Sequence, residues 1–151
     1  MAVTNLNFEA QVDAWCRETE ARMTAVFRES VKRTVAIMQR PVSGGGNMPV
    51  DTGFLRASIR ASLSVMPTLN MAKGVGGGGR YDPNAVVLVI ASAQLGQTIY
   101  IGYTANYAGF VEYGTSRTRP RGYVANATRQ WSATVTQVVA DLKGRIAARP
   151  R

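Results

Sequence analysis

The chain of 151 residues is 46% hydrophobic and 18% charged, a balance typical of one folded globular domain. It contains no histidine and a single cysteine, Cys16, which excludes an internal disulfide, a histidine-based catalytic triad and a zinc site built in the usual way. No apolar run approaches the ~20 residues of a membrane-spanning helix, and the first residues lack the basic start and apolar core of a signal peptide. We therefore expect one domain over residues 1–151, made in the cytoplasm and without a membrane partner.

The net charge of +9 is concentrated toward the C-terminus. From Thr115 onward the chain carries eight basic residues and one acidic residue, Asp141, so that the last 37 residues hold +7 of the total. This asymmetry predicts an anionic partner, most commonly DNA. The alternative is a solvated basic face with no partner.

A long helix is predicted first, over residues of about 8–40. Its apolar residues are Phe8, Val12, Trp15, Met23, Val26, Phe27, Val35 and Met38. They follow the three-and-four spacing of a single stripe. Asn7 is predicted to cap the N-terminus, and Pro41 with the glycines after it to end the helix. At ~1.5 Å per residue the helix would span ~45 Å, so we expect part of it to pack on a neighbouring chain.

The middle of the chain predicts an antiparallel sheet of about three to four strands. Residues 59–65 alternate between apolar and polar, residues 85–92 form a continuous apolar run typical of a central strand, and residues 98–104 complete a hairpin with that run. The glycine-rich loop at residues 73–84 lacks the Gly-Lys-Ser/Thr of a phosphate-binding loop. We predict instead a flexible loop that becomes ordered on assembly.

Two helices are predicted in the last third, separated by a basic loop at residues 115–122. A short helix at residues 107–114 places Tyr107, Phe110 and Val111 on one side, with Gly114 as its C-terminal cap. An amphipathic helix of about residues 123–147 follows. Helices packed on a small antiparallel sheet define the fold class as α+β.

Residues that could carry catalysis are few. Beyond the first helix the acids are Asp51, Asp82, Glu112 and Asp141, and no two are spaced as a paired catalytic site. Cys16 has no histidine to activate it. We therefore predict that the chain is not an enzyme and has no metal and no cofactor.

Glu112 and the basic loop form the main candidate site. Glu112 lies in the last turn of the short helix, where the helix dipole disfavours a negative charge, and Arg117, Arg119 and Arg121 follow within nine residues. An arginine paired with Glu112 would fold the loop back within one chain, or would fix the register between chains. The arginines themselves could face a phosphate backbone or an acidic protein.

Two segments carry a resemblance to a known family. The first, VDTGFLRASI, contributes Val50, Asp51, Thr52, Gly53, Leu55 and Ser58. The second, YAGFVEYGT, contributes Tyr107, Ala108, Val111, Glu112, Gly114 and Thr115. In this order the chain resembles the tailed-bacteriophage neck family of head–tail joining or tail-completion proteins, which typically carry V-D-T-G-x-L-x-x-S and Y-A-x-x-V-E-x-G-T. The family also carries an R-P-x-P-F-like element before the last helix. Here Arg119, Pro120 and Arg121 match its first three positions, but Gly122 and Tyr123 stand where Pro and Phe are common.

The resemblance implies a structural virion protein. Copies would form a ring of sixfold or twelvefold symmetry between the portal-side connector and the tail, with phage DNA passing nonspecifically through its lumen. A tail terminator or a head-closure layer of the same neck is an alternative position. A small basic protein that binds nucleic acid nonspecifically, and a toxin-like or nuclease enzyme, are the alternatives from other classes.

Overall fold

The chain folds into six α-helices and two β-strands over the residues that the structure describes. The structure, a computed structural model, describes residues 3–70 and 80–148, and the side chains from residue 8 onward. The elements are α1 (Val3–Met38), a 3-10 turn (Val42–Gly44), α2 (Phe54–Ala57), β1 (Ile59–Ser62), α3 (Pro83–Ser92), β2 (Tyr100–Tyr103), α4 (Ala108–Tyr113), α5 (Tyr123–Arg129) and α6 (Trp131–Ala147). The fold therefore mixes helices with a small antiparallel sheet, as the sequence predicts.

The long N-terminal helix is confirmed, although its boundaries differ from the prediction. α1 begins at Val3, and the predicted cap at Asn7 is wrong because this residue lies inside the helix. No proline or glycine occurs between residues 3 and 40, so nothing in the sequence stops the helix from extending toward the N-terminus. It ends at Met38, shortly before Pro41.

A tight reversal after α1 places Met48 in the core. The Met48 N–H donates to the Arg40 carbonyl at 3.1 Å, and the Val42 N–H donates to the Met48 carbonyl at 3.0 Å. Gly46 lies against the end of α1, where a Cβ atom would be 2.0 Å from the Arg40 carbonyl oxygen. The reversal thus requires glycine at this position.

The sheet in the described residues has two strands rather than the three to four expected. β1 pairs antiparallel with β2, with Ile59 opposite Tyr103 and Ser62 opposite Tyr100. The predicted hairpin between residues 85–92 and 98–104 is wrong, because the strand at Tyr100–Tyr103 pairs with β1 instead. β1 also ends at Ser62, earlier than the alternation to residue 65 predicts.

The predicted central strand at residues 85–92 is a helix, α3. The Asp82 side chain accepts a hydrogen bond from the Asn84 N–H at 2.9 Å, and Pro83 occupies the first turn, so both residues favour a helix start. Val86 and Ile90, one helical turn apart, are buried, while Leu88 is exposed. A short apolar run fits a buried strand and a buried helix equally well, and here the capping residues decide. Of the predicted glycine-rich loop, residues 73–79 lie outside the described residues, and residues 83–84 belong to α3.

The last third of the chain follows the prediction with two changes. α4 ends with Gly114 as its C-cap, as predicted. Phe110, predicted on the packed side, is 65% exposed, because Ala108 and Glu112 form the buried face of α4. The single predicted C-terminal helix is divided at Gln130 (φ −89°, ψ 1°) into α5 and α6.

One apolar cluster joins the C-terminal part of α1 to the rest of the fold. Its buried members include Val31, Val35, Met38, Phe54, Ile59, Val86, Ile90, Tyr103 and Tyr123. The Tyr103 and Tyr123 rings meet edge to face, with 5.0 Å between their centroids. Tyr123 donates from its hydroxyl to the Ala108 carbonyl at 3.1 Å, whereas the buried Tyr103 hydroxyl has no partner within the described part of the chain.

We predict that Gly46→Ala lowers the free energy of unfolding by about 1–3 kcal/mol, because the added methyl group collides with the Arg40 carbonyl. Gly44→Ala is the matched control in the same reversal, since its Cβ would lie 3.6 Å from the nearest atom. Urea denaturation of both variants measures the difference. Equal unfolding midpoints would contradict the assignment.

The two buried tyrosines predict different substitution effects. Tyr123→Phe should cost about 1 kcal/mol of unfolding free energy, because the bond to Ala108 is lost, whereas Tyr103→Phe should cost nothing. Urea denaturation at neutral pH measures both.

Burial raises the pKa of both hydroxyls, so the folded state favours their neutral form. The unfolding free energy that comes from these neutral hydroxyls is therefore fully present below pH ~10, the pKa of tyrosine in the unfolded chain, and is lost as the pH rises further. Urea denaturation between pH 8 and 11 should show a smaller alkaline loss in Tyr103→Phe than in the parent chain.

Candidate assembly site

Glu112 is buried and caps the helix that follows the basic loop. Only 6% of the residue is exposed. Its Oε2 accepts a hydrogen bond from the Val124 N–H at 3.0 Å, and its Oε1 accepts one from the Ala125 N–H at 2.8 Å. These two N–H groups belong to the first turn of α5, where a helix carries unpaired donors and a partial positive charge. The carboxylate therefore compensates the N-terminus of α5 from a different helix.

The salt bridge expected between Glu112 and an arginine of the same chain is wrong. In the described ranges none of Arg117, Arg119 and Arg121 forms an ion pair. The partners of the Glu112 carboxylate are instead two backbone N–H groups at the start of α5. Pairing with an arginine of another chain stays a prediction, and the guanidinium would have to reach a carboxylate that is buried.

The sequence contains one signal for this cap that the prediction missed. The residue before α5 is Gly122, in the left-handed region at φ 58°, and it has no side chain to cap the helix. A helix that begins without Ser, Thr, Asp or Asn needs another acceptor for its first N–H groups. Glu112, at the end of the preceding helix, is the nearest acid along the chain.

The backbone of the basic loop at residues 115–122 is fixed at both ends. At its start the Thr115 hydroxyl accepts hydrogen bonds from the N–H groups of Arg117 and Thr118, at 3.2 Å and 3.1 Å. At its end the Arg121 N–H donates to the Val111 carbonyl at 3.0 Å, and the Gly122 N–H donates to the Glu112 carbonyl at 3.1 Å. The loop thus returns onto the last turn of α4.

Gly114 permits this return. Its φ of 78° lies in the left-handed region, and a Cβ atom there would be 2.7 Å from both the Thr118 carbonyl oxygen and the Pro120 nitrogen. Any other residue would force the loop away from α4. The glycine of the second motif therefore has a steric role in the position of the loop.

The three arginine side chains of the loop are exposed. The Arg121 carbonyl, by contrast, accepts a hydrogen bond from the Asn47 side chain at 3.0 Å. A fixed backbone with free guanidinium groups can present positive charge to an anionic partner.

The two motif segments contact each other in the fold. Phe54, in the first segment, stacks on Tyr107, in the second, with 6.1 Å between the ring centroids. The Ser58 carbonyl accepts hydrogen bonds from both the N–H and the hydroxyl of Thr104, each at 2.9 Å. Thr52 accepts a long bond from the Phe54 N–H at the start of α2, and Leu55 is buried. Asp51 is exposed and has a polar contact. The two segments thus meet in the apolar cluster through Phe54 and Tyr107, and the basic loop follows directly after the second segment.

Neither a protein-family model, nor a curated protein, nor a solved structure matches the chain. Within the described ranges no cluster of three or more Cys, Asp or Glu side chains could hold a metal ion. No helix of the described part is long and apolar enough to cross a membrane.

We predict that Glu112→Gln lowers the free energy of unfolding by roughly 1.5–3 kcal/mol, since the amide nitrogen cannot accept the bond that a carboxylate oxygen accepts and the charge facing the helix dipole is lost. The exposed Glu20→Gln is the matched control, and it should change stability by less than about 0.5 kcal/mol. Urea denaturation of both variants tests this. Equal stabilities would show that the cap contributes nothing.

Proposed function

We propose that the chain is a structural protein of a tailed-bacteriophage neck, which forms a ring at the head–tail interface and joins the portal-side connector to the tail. The observation that carries the proposal is the basic loop, whose backbone is fixed by α4 while its three arginines remain free of ion pairs in the described residues. A ring that surrounds DNA benefits from positive charge, because it holds a polyanion close by.

The packing of the two motif segments supports the same proposal. The two segments that carry the resemblance contact each other where Phe54 of the first stacks on Tyr107 of the second, and both segments contribute buried residues to the same apolar cluster. Their contact places the loop on the folded core rather than on a tail. The partners we propose are further copies of the chain, in sixfold or twelvefold rings, the adjacent connector or head-closure and tail-tube or terminator proteins, and phage DNA in the lumen. A tail terminator or a head-closure layer is the alternative position within the neck.

A structural role also accounts for the one buried carboxylate in the described residues. Glu112 is buried and uses both oxygens to cap α5, which is the role of a structural acceptor. We therefore propose that the chain is not an enzyme and that it acts in the virion.

A small basic protein that binds nucleic acid nonspecifically is the second candidate, since the same free arginines could contact phosphates. The two candidates differ in what a single copy does. A nonspecific DNA-binding protein retains DNA as a monomer, with an affinity that falls steeply with salt. A neck protein needs the ring for its function.

The assembly state and the phage phenotype test the proposal together. Native mass spectrometry and negative-stain images of the purified chain should show closed rings with a central hole. Deletion of the gene from its phage genome should leave DNA-filled heads and separate tails, and a plasmid copy should restore joined particles. Joined particles without the gene would refute the neck function. A monomer that binds DNA tightly at moderate salt would favour the second candidate.

We predict that the triple variant Arg117→Ala, Arg119→Ala, Arg121→Ala folds normally, because these side chains make no ion pair in the described residues, and that it lowers the yield of joined particles at least tenfold in the complementation experiment. The exposed Arg129→Ala, outside the loop, is the control for a general loss of charge. Wild-type yield from the triple variant would contradict a role for the loop. If the second candidate holds, the salt dependence of DNA binding should flatten by about 0.9 for each arginine that contacts a phosphate.

A further inference from the structure

An apolar groove lies between α1 and α6. Its volume is about 1180 Å³, above the roughly 300–1,000 Å³ of a typical small-molecule pocket. Its walls include Met23 and Phe27 from α1, Val135, Val139 and Leu142 from α6, and Leu95 from the connection between α3 and β2. The rim residues Met23, Leu95 and Ile146 are each more than 40% exposed. A groove of this size and character suits an apolar helix face better than a small ligand.

The N-terminal half of α1 carries a matching apolar stripe that nothing in the described part of the chain covers. Phe8, Val12 and Trp15 are 69%, 41% and 66% exposed. Every residue from 8 to 18 is exposed. Spacings of four and then three residues place the three side chains on one face, the pattern by which a helix anchors in a groove. Aromatic side chains such as Phe and Trp contribute strongly to interface energy because each buries a large apolar area.

The stripe cannot dock in the groove of its own chain. α1 is one continuous helix, so the stripe continues the α1 wall of the groove toward the N-terminus and cannot turn back across it. The same stripe of another molecule can enter the groove.

Charge favours a second copy of this chain as the occupant. Residues 1–16 contain Glu9 and Asp13 and no basic side chain. The groove is lined by Lys143 and Arg145 from α6 and by Glu18 and Arg22 from α1, and the last two pair with each other. Glu9, Asp13, Lys143 and Arg145 form no ion pair within the described residues. An acidic helix with apolar anchors and an apolar groove with a basic edge are complementary in both respects.

We propose that residues 8–15 of one copy dock in the groove between α1 and α6 of a second copy. Two copies that exchange this contact form a closed dimer, whereas copies that pass it on in succession form a ring when the rotation closes. The proposal does not depend on a phage function, because it uses only surfaces of this chain.

The single cysteine allows a direct test. Cys16 lies beside Trp15 and is exposed, so that a second cysteine at the groove should form a disulfide between copies. In Lys143→Cys, mild oxidation should yield covalent dimers or longer chains on a non-reducing gel, and the added Cys16→Ser should abolish them. Ala133→Cys is the matched control, because this exposed residue is on α6 but does not line the groove. Equal cross-linking of the two cysteine variants would overturn the proposal.

Trp15→Ala tests the energetics of the same contact. Because Trp15 is largely exposed, the fold should be unchanged by circular dichroism, while the dissociation constant from sedimentation should rise at least ~30-fold. Arg17→Ala is the control. Arg17 is nine residues, or about two and a half turns, from Phe8, so this variant removes a long side chain from the opposite face of α1. A parent chain that stays monomeric at several hundred micromolar, or association that survives Trp15→Ala, would overturn the proposal. Rings that persist in Trp15→Ala would refute this contact without contradicting the neck function. A parent chain that forms a dimer but no rings would support this contact without supporting the neck function.

Discussion

The hydrogen bonds from the first turn of α5 to the Glu112 carboxylate position the candidate assembly site. They connect α4 to α5, and the basic loop spans the short gap between these helices. A buried carboxylate is costly unless its oxygens are satisfied, and the unpaired N–H groups of a helix start are costly unless they find acceptors. Each group removes the cost of the other. Gly114 completes the arrangement, because only a residue without Cβ lets the loop pass this close to α4.

The sequence predicts the elements whose signals are local and strong. The length and stripe of α1, the short helix capped by Gly114 and the mixture of helices with an antiparallel sheet are all readable from spacing and capping residues. The strand predicted at residues 85–92 is wrong because an apolar run of that length has no period that separates strand from helix. The helix-start signal at Asp82 and Pro83 does separate them, and the prediction did not use it. The pairing of β1 with β2 joins residues some forty positions apart, a choice that depends on tertiary packing.

The candidate site was predicted in its residues but not in its contacts. Glu112 and the three arginines carry opposite charges and lie close together in sequence, which predicts an ion pair between them. Within the fold the stronger competitor was the N-terminus of α5, which offers two fixed donors without the loss of side-chain entropy that an arginine would incur. Likewise the exposure of Phe110 follows from which face of α4 meets the core, and six residues contain too little periodicity to decide that.

The hydrogen bonds that hold the basic loop also determine how much conformational entropy the loop would lose on binding an anion. A flexible loop loses roughly 1–2 kcal/mol of backbone entropy for each residue that becomes ordered. Here the Thr115 hydroxyl and the carbonyls of Val111 and Glu112 have ordered the main chain during folding, so an arriving phosphate or carboxylate restricts only the guanidinium stems. The entropy was lost once, when the chain folded. If the proposed neck function holds, such contacts with the DNA can form and break quickly, because no segment has to fold for each new contact.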